Sequence, residues 1–222
     1  MDFTKNIFFR SIKRSKRKFG VTKQIGKIVK KYSHGKCLDA GCGTGEYFNL
    51  FNSKEIIGLD LTQEYLDKIN TGKFLEKKIS LIKADIRKIP FNDNYFDFIL
   101  CSEVFEYIPE EDTNNTLNEL ERVSSKNGVI VISVPNGKFV LGFIRNFLYN
   151  NLYGNPNKNY TNMGRVFSTR ELNTLGFEVH GCYGYVSRRD IGLSFAFDLL
   201  DFLAWYFPNL GGTLIGIKKI KK

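Results

Sequence analysis

The sequence predicts an α/β fold, a doubly wound, mostly parallel seven-stranded sheet with helical insertions. Two observations predict it. Between residues 36 and 134, short runs rich in Ile, Leu, Val and Phe alternate with segments of helical periodicity across short connections, the pattern of a parallel sheet covered by helices on both faces. The first of these runs also passes directly into a loop with three glycines at alternate positions, Gly41, Gly43 and Gly45.

The elements follow in order. Phe3, Ile7, Phe8 and Ile12 recur near helical spacing with Arg10, Lys13, Arg14 and Arg17 on other faces, which predicts a basic amphipathic helix over 3–18, ended by Gly20. A second helix is expected over 22–32, broken by Gly35. Strands are then predicted at 36–40, 56–60, 79–84, 97–101 and 129–134, the last entered through Asn127-Gly128. Helices are predicted at 45–52, 62–70 and 112–124. An aromatic, Asn-rich insertion spans 136–166. Ser168 with Glu171 three positions on forms a capping-box pattern that opens a helix over 167–175. Strands at 177–185 and 212–220 close the sheet. Within the second insertion, 186–211, residues 191–207 form an unusually apolar helix, whose only polar stripe is Ser194, Asp198 and Asp201.

A chain of 222 residues with 42% hydrophobic content builds a full core as a single domain without disulfides or a structural metal. Cys37, Cys42, Cys101 and Cys182 sit inside apolar runs with no Cys-x-x-Cys pair, so they read as buried thiols of a reducing cytoplasm. The two histidines leave little for a metal site or a Ser-His-Asp triad. His34 is placed in the loop before the first strand and His180 packed on its own strand.

The formal charge of +10 is unevenly placed. Residues 1–36 hold twelve Lys or Arg against Asp2, whereas the remaining residues carry twenty-one basic and twenty-two acidic groups. The basicity therefore belongs to an amino-terminal helical arm, 1–34. Its apolar residues are interrupted by Lys5, Arg10 and Lys13, unlike the core of a signal peptide, so export is not expected.

The chemistry concentrates at the ends of the predicted strands. Asp39-Ala40-Gly41-Cys42-Gly43-Thr44-Gly45 lets the backbone turn tightly and approach a ligand, and a helix beginning there would offer free N–H groups. A dinucleotide fingerprint requires a third glycine at position 46, which is Glu46. A carboxylate there repels pyrophosphate and suits a cationic ligand, which disfavours a nicotinamide dehydrogenase. Asp60 ends strand two, where an acidic residue grips ribose hydroxyls in open α/β sheets. Asp85 follows strand three. Three carboxylates at three successive strand ends converge on one crevice.

With Leu38-Asp39-Ala40-Gly41-Cys42-Gly43-Thr44-Gly45, Gly58-Leu59-Asp60-Leu61, Ala84-Asp85-Ile86, Phe96-Asp97 and Arg122-Val123 ahead of Asn127-Gly128, the sequence resembles the class I methyltransferases. The likeness is greatest to the broad group that includes the ubiquinone-biosynthesis O-methyltransferases, and it spans roughly residues 22 to 185. The resemblance implies a Rossmann-like fold and S-adenosyl-L-methionine as cofactor. It implies that Gly41, Gly43 and Gly45 pass the methionine part, with Asp39 holding its amine. Asp60 would bind the ribose, Leu61 would pack on adenine, and Asp85 with the Ile86 backbone would read the adenine edge. Ser102 is placed in the same cofactor set.

Strand four runs into Ser102-Glu103-Val104-Phe105-Glu106-Tyr107. In the resembling group this segment is similar to Glu-x-x-Glu-His, so Glu103, Glu106 and Tyr107 are the candidate catalytic residues. Tyrosine in place of histidine is a poor metal ligand and, with an ordinary pKa of about 10, a poor base at neutral pH; no metal is expected. The bland alternative is that the two glutamates cap and solvate the next helix. Apolar residues at 139–148 and 191–207 suggest a small-molecule, lipid-linked or glycan acceptor, with O-methylation favoured, or a homodimer interface. The basic arm suggests peripheral contact with an anionic membrane, or else a helix over the cofactor. Two rivals are a nucleic-acid methyltransferase, weakened by the lack of an Asn/Asp-Pro-Pro-aromatic motif after strand four, and a non-catalytic scaffold, weakened by the retained glycines and carboxylates.

Overall fold

The computed structural model describes residues 19–138, 164–182 and 194–221. The expected helix over 3–18, most of the 136–166 insertion and residues 186–193 of the second insertion lie outside the described residues. Strands β1 (Lys36–Ala40), β2 (Glu55–Asp60), β3 (Lys78–Lys83), β4 (Phe96–Ser102), β5 (Ser124–Pro135), β6 (Glu178–Cys182) and β7 (Thr213–Lys219) form one seven-stranded sheet of order β3-β2-β1-β4-β5-β7-β6. All neighbours pair in parallel except β7, which runs antiparallel between β5 and β6. The strand order reverses between β1 and β4, the place where open α/β sheets bind ligands beyond their carboxyl ends.

Adjacent strand residues point to opposite faces, and both faces are covered. Leu38, Ile57, Ile99 and Ile130 join one buried layer with Leu117, Leu120 and Leu172 from the helices. Their neighbours Cys37, Ile56, Phe98 and Val131 join the other, with Val21, Ile25 and Val29 of helix α1 (Phe19–Tyr32). Each fully buried side chain of this size contributes about 1.5–3 kcal/mol. The central strands therefore read as continuous apolar runs, while edge strand β3 shows partial exposure along its length.

Four expectations need correction. No α-helix forms over 45–52. The positive φ of Gly43 and Gly45 (55° and 77°) leads into i to i+3 bonds, Phe48 N–H to the Gly45 carbonyl and Leu50 N–H to the Tyr47 carbonyl, and only a 3-10 turn at Phe48–Leu50 follows. The helix predicted over 62–70 shrinks to α2 (Gln63–Leu66). Lys68 and Ile69 already bond three residues back, and the Asn70 side chain accepts from Gly72 N–H to start a second 3-10 turn. Gly20 lies inside α1, which is described from Phe19, rather than between two helices, while Gly35, at φ 66°, follows the end of α1 as expected. Finally, Asn127-Gly128 does not begin strand five. Asn127 takes φ 66° within β5, where the pairing to β4 skips from Phe96–Ser124 to Phe98–Val129.

Other helices match more closely. Helix α3 (Thr113–Val123) follows a 3-10 turn at Glu110–Asp112. Ser168 Oγ accepts from Glu171 N–H at 3.2 Å to cap helix α4 (Thr169–Thr174), as the capping-box pattern predicts. Arg122 of α3 fastens the β3–β4 connection. It donates to the carbonyls of Ile89 and Phe91 and pairs with Asp93 and Glu119. Helix α5 (Ser194–Tyr206) buries Asp201, one residue of its polar stripe. Asp201 is buried beside Cys182 (Sγ to Oδ1, 3.6 Å), whereas Leu199, Phe202 and Tyr206 are exposed.

Candidate active site at the strand-order reversal

A crevice of about 730 Å³ opens beyond the carboxyl ends of β1 to β4. The loop after β1 forms its first wall. Gly41 N–H and Cys42 N–H both bond to the Leu59 carbonyl at 2.7 and 2.9 Å, tying the loop to β2. A β-carbon on Gly41 would lie 2.3 Å from the Val104 side chain, while one on Gly43 would meet nothing within 4 Å. Glycine is thus needed at 41 for packing, and at 43 for its left-handed backbone beside open space. Gly45 packs behind the wall against Phe48, whose ring carbons would lie 2.9 Å from a β-carbon there.

Asp60 closes β2 with both carboxylate oxygens engaged by backbone. Oδ2 accepts from Gly43 N–H at 2.8 Å and Oδ1 from Thr62 N–H at 2.9 Å. Burial raises its pKa above the ordinary 3.8, against the pull of these bonds. The Leu61 N–H and the Thr62 hydroxyl also bear on this carboxylate, so a ligand hydroxyl shares its oxygens with them. Leu61, next to it, is 62% exposed despite its size and lines the crevice with Glu46 and Ile86.

Asp85 sits at the rim, gripped by Arg87. Arg87 N–H donates to Oδ1 at 2.9 Å, Nε reaches both oxygens, and Nη2 pairs with Oδ2 at 2.7 Å. The second guanidinium nitrogen reaches Asp112 at 2.7 Å. The Arg87 hydrogen bond holds the Asp85 carboxyl below its ordinary value. Any ligand donor approaching Asp85 has to share an oxygen with this guanidinium.

The wall after β4 carries an unusual backbone. Glu103 takes φ 56°, a left-handed conformation that a non-glycine residue keeps only when its surroundings enforce it. The enforcement is visible: Glu103 N–H donates to the Ser133 carbonyl at 2.9 Å, with Ser133 Oγ at 3.2 Å. Ser102 Oγ lies 2.8 Å from Ser133 Oγ and donates to the Tyr47 hydroxyl at 3.2 Å, so a hydroxyl chain crosses the base of the crevice. Val104, Tyr107, Ile108 and Pro109 complete an apolar mouth.

The structure thus brings Gly41, Gly43, Asp60, Leu61, Asp85 and Ile86 to one crevice, with Ser102, Glu103 and Tyr107 across from them. Asp39, 1% exposed, and Glu106, 3% exposed, lie buried outside its lining. The Glu106 carbonyl accepts from Arg165 N–H at 2.9 Å. Sequence reasoning did not single out Tyr47, Arg87 or Ser133. Arg87 had a signal in its spacing, two residues after Asp85. Ser133 had none, because its partner is thirty residues away on the neighbouring strand.

Comparison with known proteins fits this geometry. A family model described as a methyltransferase domain matches residues 38–132, the segment that builds β1 to most of β5. Over these residues the chain is similar to a methyltransferase domain. The chain is 32% identical over 117 residues to a demethylmenaquinone methyltransferase of Staphylococcus saprophyticus, covering 49% of this chain and 48% of that protein. The chain spans about half the length of the curated relatives it matches. Among solved structures, the small RNA methyltransferase HEN1 superposes with TM-score 0.61 at 17% identity, over 90% of this chain and 25% of that one. A SAM dependent methyltransferase from Archaeoglobus fulgidus superposes with TM-score 0.55 at 17% identity, over 90% and 94%. These superpositions establish the shared fold.

The residues of the crevice fit S-adenosylmethionine, the cofactor this family implies. The space beside Gly43 admits a ligand against the backbone, Asp60 offers acceptors to ribose hydroxyls, and exposed Leu61 lacks an apolar cover such as a purine ring. Glu46 supplies negative charge suited to a cationic ligand.

Proposed function

We propose that the protein transfers a methyl group from S-adenosylmethionine to an oxygen of a small, lipid-like or glycan acceptor. The observation that carries this reading is Glu103. Its left-handed backbone, pinned to Ser133, sets a carboxyl-bearing residue at an apolar mouth opposite the glycine wall. A strained residue held in place at a crevice is more economically explained by function than by folding.

When bound, the cofactor supplies an electrophilic methyl on a positively charged sulfur. Val104, Ile108 and Pro109 hold an apolar acceptor and exclude water, which aligns its hydroxyl with that methyl. Glu103 accepts the hydroxyl proton as the acceptor oxygen forms its bond to the methyl carbon. The cofactor would leave as the neutral thioether, keeping the electron pair of the carbon–sulfur bond. Tyr107, also at the mouth, orients the acceptor. Glu106, buried behind the wall with its carbonyl bonded to Arg165, positions Glu103 and Tyr107 by fixing the 3-10 turn Phe105–Tyr107 between them. Gly41, Gly43, Asp60, Leu61, Ile86 and Ser102 hold the cofactor, with Asp39 and Gly45 shaping the loop from behind. Asp85 with Arg87 closes the adenine end. Peripheral contact with an anionic membrane belongs to the same proposal, since it brings the chain to acceptors that partition into lipid.

The test supplies methyl-labelled cofactor to the protein together with separated lipid, glycan and RNA fractions of cells. Label is expected in the organic-extractable or glycan fraction, and Glu103→Gln is expected to abolish its transfer while leaving cofactor affinity intact. Labelled RNA instead, or full transfer by Glu103→Gln, overturns the reading.

A further inference from the structure

Away from the crevice, the sheet face covered by α1 and α5 carries a second concavity of about 630 Å³, which shares no lining residue with the first. Three features meet there. Lys23, Lys27 and Lys31 stand four residues apart on α1 and are all exposed, so they form one cationic stripe along the helix. Opposite them, Phe202 and Tyr206 line the same groove. These two rings pack edge to face, with centroids 5.2 Å apart. Between the walls, His180 stacks on Trp205 at 3.9 Å and pairs with Glu178 at 3.2 Å.

The aromatic wall extends beyond the groove. Leu199 is 46% exposed, Phe202 58%, Tyr206 66% and Phe207 62%. Positions 199, 202 and 206 fall on one face of the helix by their spacing of three and four. The same helix buries Asp201 and Ala204 against the sheet. Helix α5 thus turns hydrocarbon outward and a carboxylate inward. Large side chains left in water on one helix face mark an interaction surface.

We propose that the α1 lysine stripe and the outward face of α5 form a docking face for an anionic lipid surface. Rings and leucine enter the boundary between headgroups and acyl chains, while the ammonium groups beside them meet lipid phosphates, the division of labour of an interfacial amphipathic helix. Seven further Lys or Arg lie within residues 1–18, immediately before α1, against Asp2, so the sequence adds charge of the same sign at this end. A second copy of the chain is a poor occupant, because two-fold pairing on this face would bring the lysine stripes toward each other. RNA is also a poor occupant. Phe202 and Tyr206 turn toward each other rather than offering parallel faces for bases, and Leu199 offers no ring for a base to stack on. The inference deepens the membrane contact of the proposed function and rests on it only for its biological purpose.

The experiment is vesicle flotation of the full chain with equal parts phosphatidylcholine and phosphatidylserine, or with phosphatidylcholine alone, at low and moderate salt. The protein is expected to float with the anionic vesicles in a salt-sensitive manner. Each lysine near an anionic surface corresponds to about a fivefold effect, so Lys23→Gln/Lys27→Gln/Lys31→Gln is expected to weaken binding about a hundredfold. Phe202→Ser/Tyr206→Ser is expected to weaken it about tenfold or more, with the salt dependence kept. Neither variant touches the cofactor crevice, so unchanged affinity for S-adenosylhomocysteine certifies that both are folded. Flotation that both variants retain overturns the assignment of this face. So does a wild-type chain that ignores anionic vesicles, or one that binds single-stranded RNA in their place and loses it in the lysine variant. A chain that docks on vesicles but binds no sulfur nucleoside leaves this inference standing and removes the methyl-transfer reading.

Discussion

Replacing Asp60 with asparagine separates a ligand-gripping carboxylate from a merely structural one. In the free protein the carboxylate accepts from Gly43 and Thr62 N–H at 2.8 and 2.9 Å, yet burial still raises its pKa above 3.8. A raised acid pKa means that the fold favours the neutral form. The ionised group therefore costs stability above its folded pKa, a cost that vanishes below 3.8 and grows as pH rises between the two values. Asparagine removes that cost and keeps one acceptor oxygen, but it turns an amide N–H₂ toward one backbone donor, a loss of about 1 kcal/mol. The two effects oppose each other, so stability at neutral pH should change by no more than about 1 kcal/mol. Cofactor binding has no such compensation. A ribose hydroxyl bonded to a charged acceptor is worth about 1.5–3 kcal/mol, so affinity should fall by about tenfold to about 150-fold. Urea unfolding across pH and calorimetric titration with S-adenosylhomocysteine measure the two halves. Unchanged affinity in a folded variant would refute the ribose assignment, and a stability loss above about 3 kcal/mol would make Asp60 a loop tie instead.

Three further outcomes are expected. Gly43→Ala should fold with a penalty of about 1 kcal/mol for its left-handed backbone and lose cofactor affinity about tenfold or more, because its methyl enters open space at the crevice wall; calorimetry beside thermal melting checks both. Arg122→Leu, which abandons two backbone carbonyls and two carboxylates, should cost about 2–4 kcal/mol by denaturant titration at neutral pH. Arg122 hydrogen bonding holds the Glu119 carboxyl below its ordinary 4.5; this contribution is present above 4.5 and lost as pH falls through the lower folded value, so the gap between wild type and variant should narrow in acid, and a gap independent of pH would contradict it.

Most of the sheet was legible because both faces of its central strands are buried. Runs such as Cys37-Leu38 and Phe98-Ile99-Leu100 serve two cores at once, which leaves apolar runs bounded by polar turns. Two of the three acids expected to converge, Asp60 and Asp85, reach the crevice, since a parallel strand that ends in Asp60 delivers that residue to the ligand end of the sheet, whereas Asp39, within β1, is buried outside the lining. What the sequence hid was decided by nonlocal contacts. Periodicity over 45–52 cannot reveal that positive φ at Gly43 and Gly45 continues into three-residue turns. The left-handed Glu103 depends on Ser133 across a strand, and the Asp85 grip depends on where Arg87 folds back. The burial of Asp201 in α5, beside Cys182 on β6, is likewise a nonlocal contact that hydropathy on one helix does not encode. Glu106, a candidate catalytic residue by sequence, is buried behind the crevice in the 3-10 turn after β4, which changes its proposed role from proton acceptor to positioning residue.

The most direct test of the central claim is calorimetric titration of the full chain with S-adenosylmethionine, S-adenosylhomocysteine and NAD. The crevice, with Glu46 where a dinucleotide loop needs glycine and Asp60 at the end of β2, predicts saturable binding of both sulfur nucleosides and none of NAD. Clear binding of NAD with no heat from either sulfur nucleoside would contradict it.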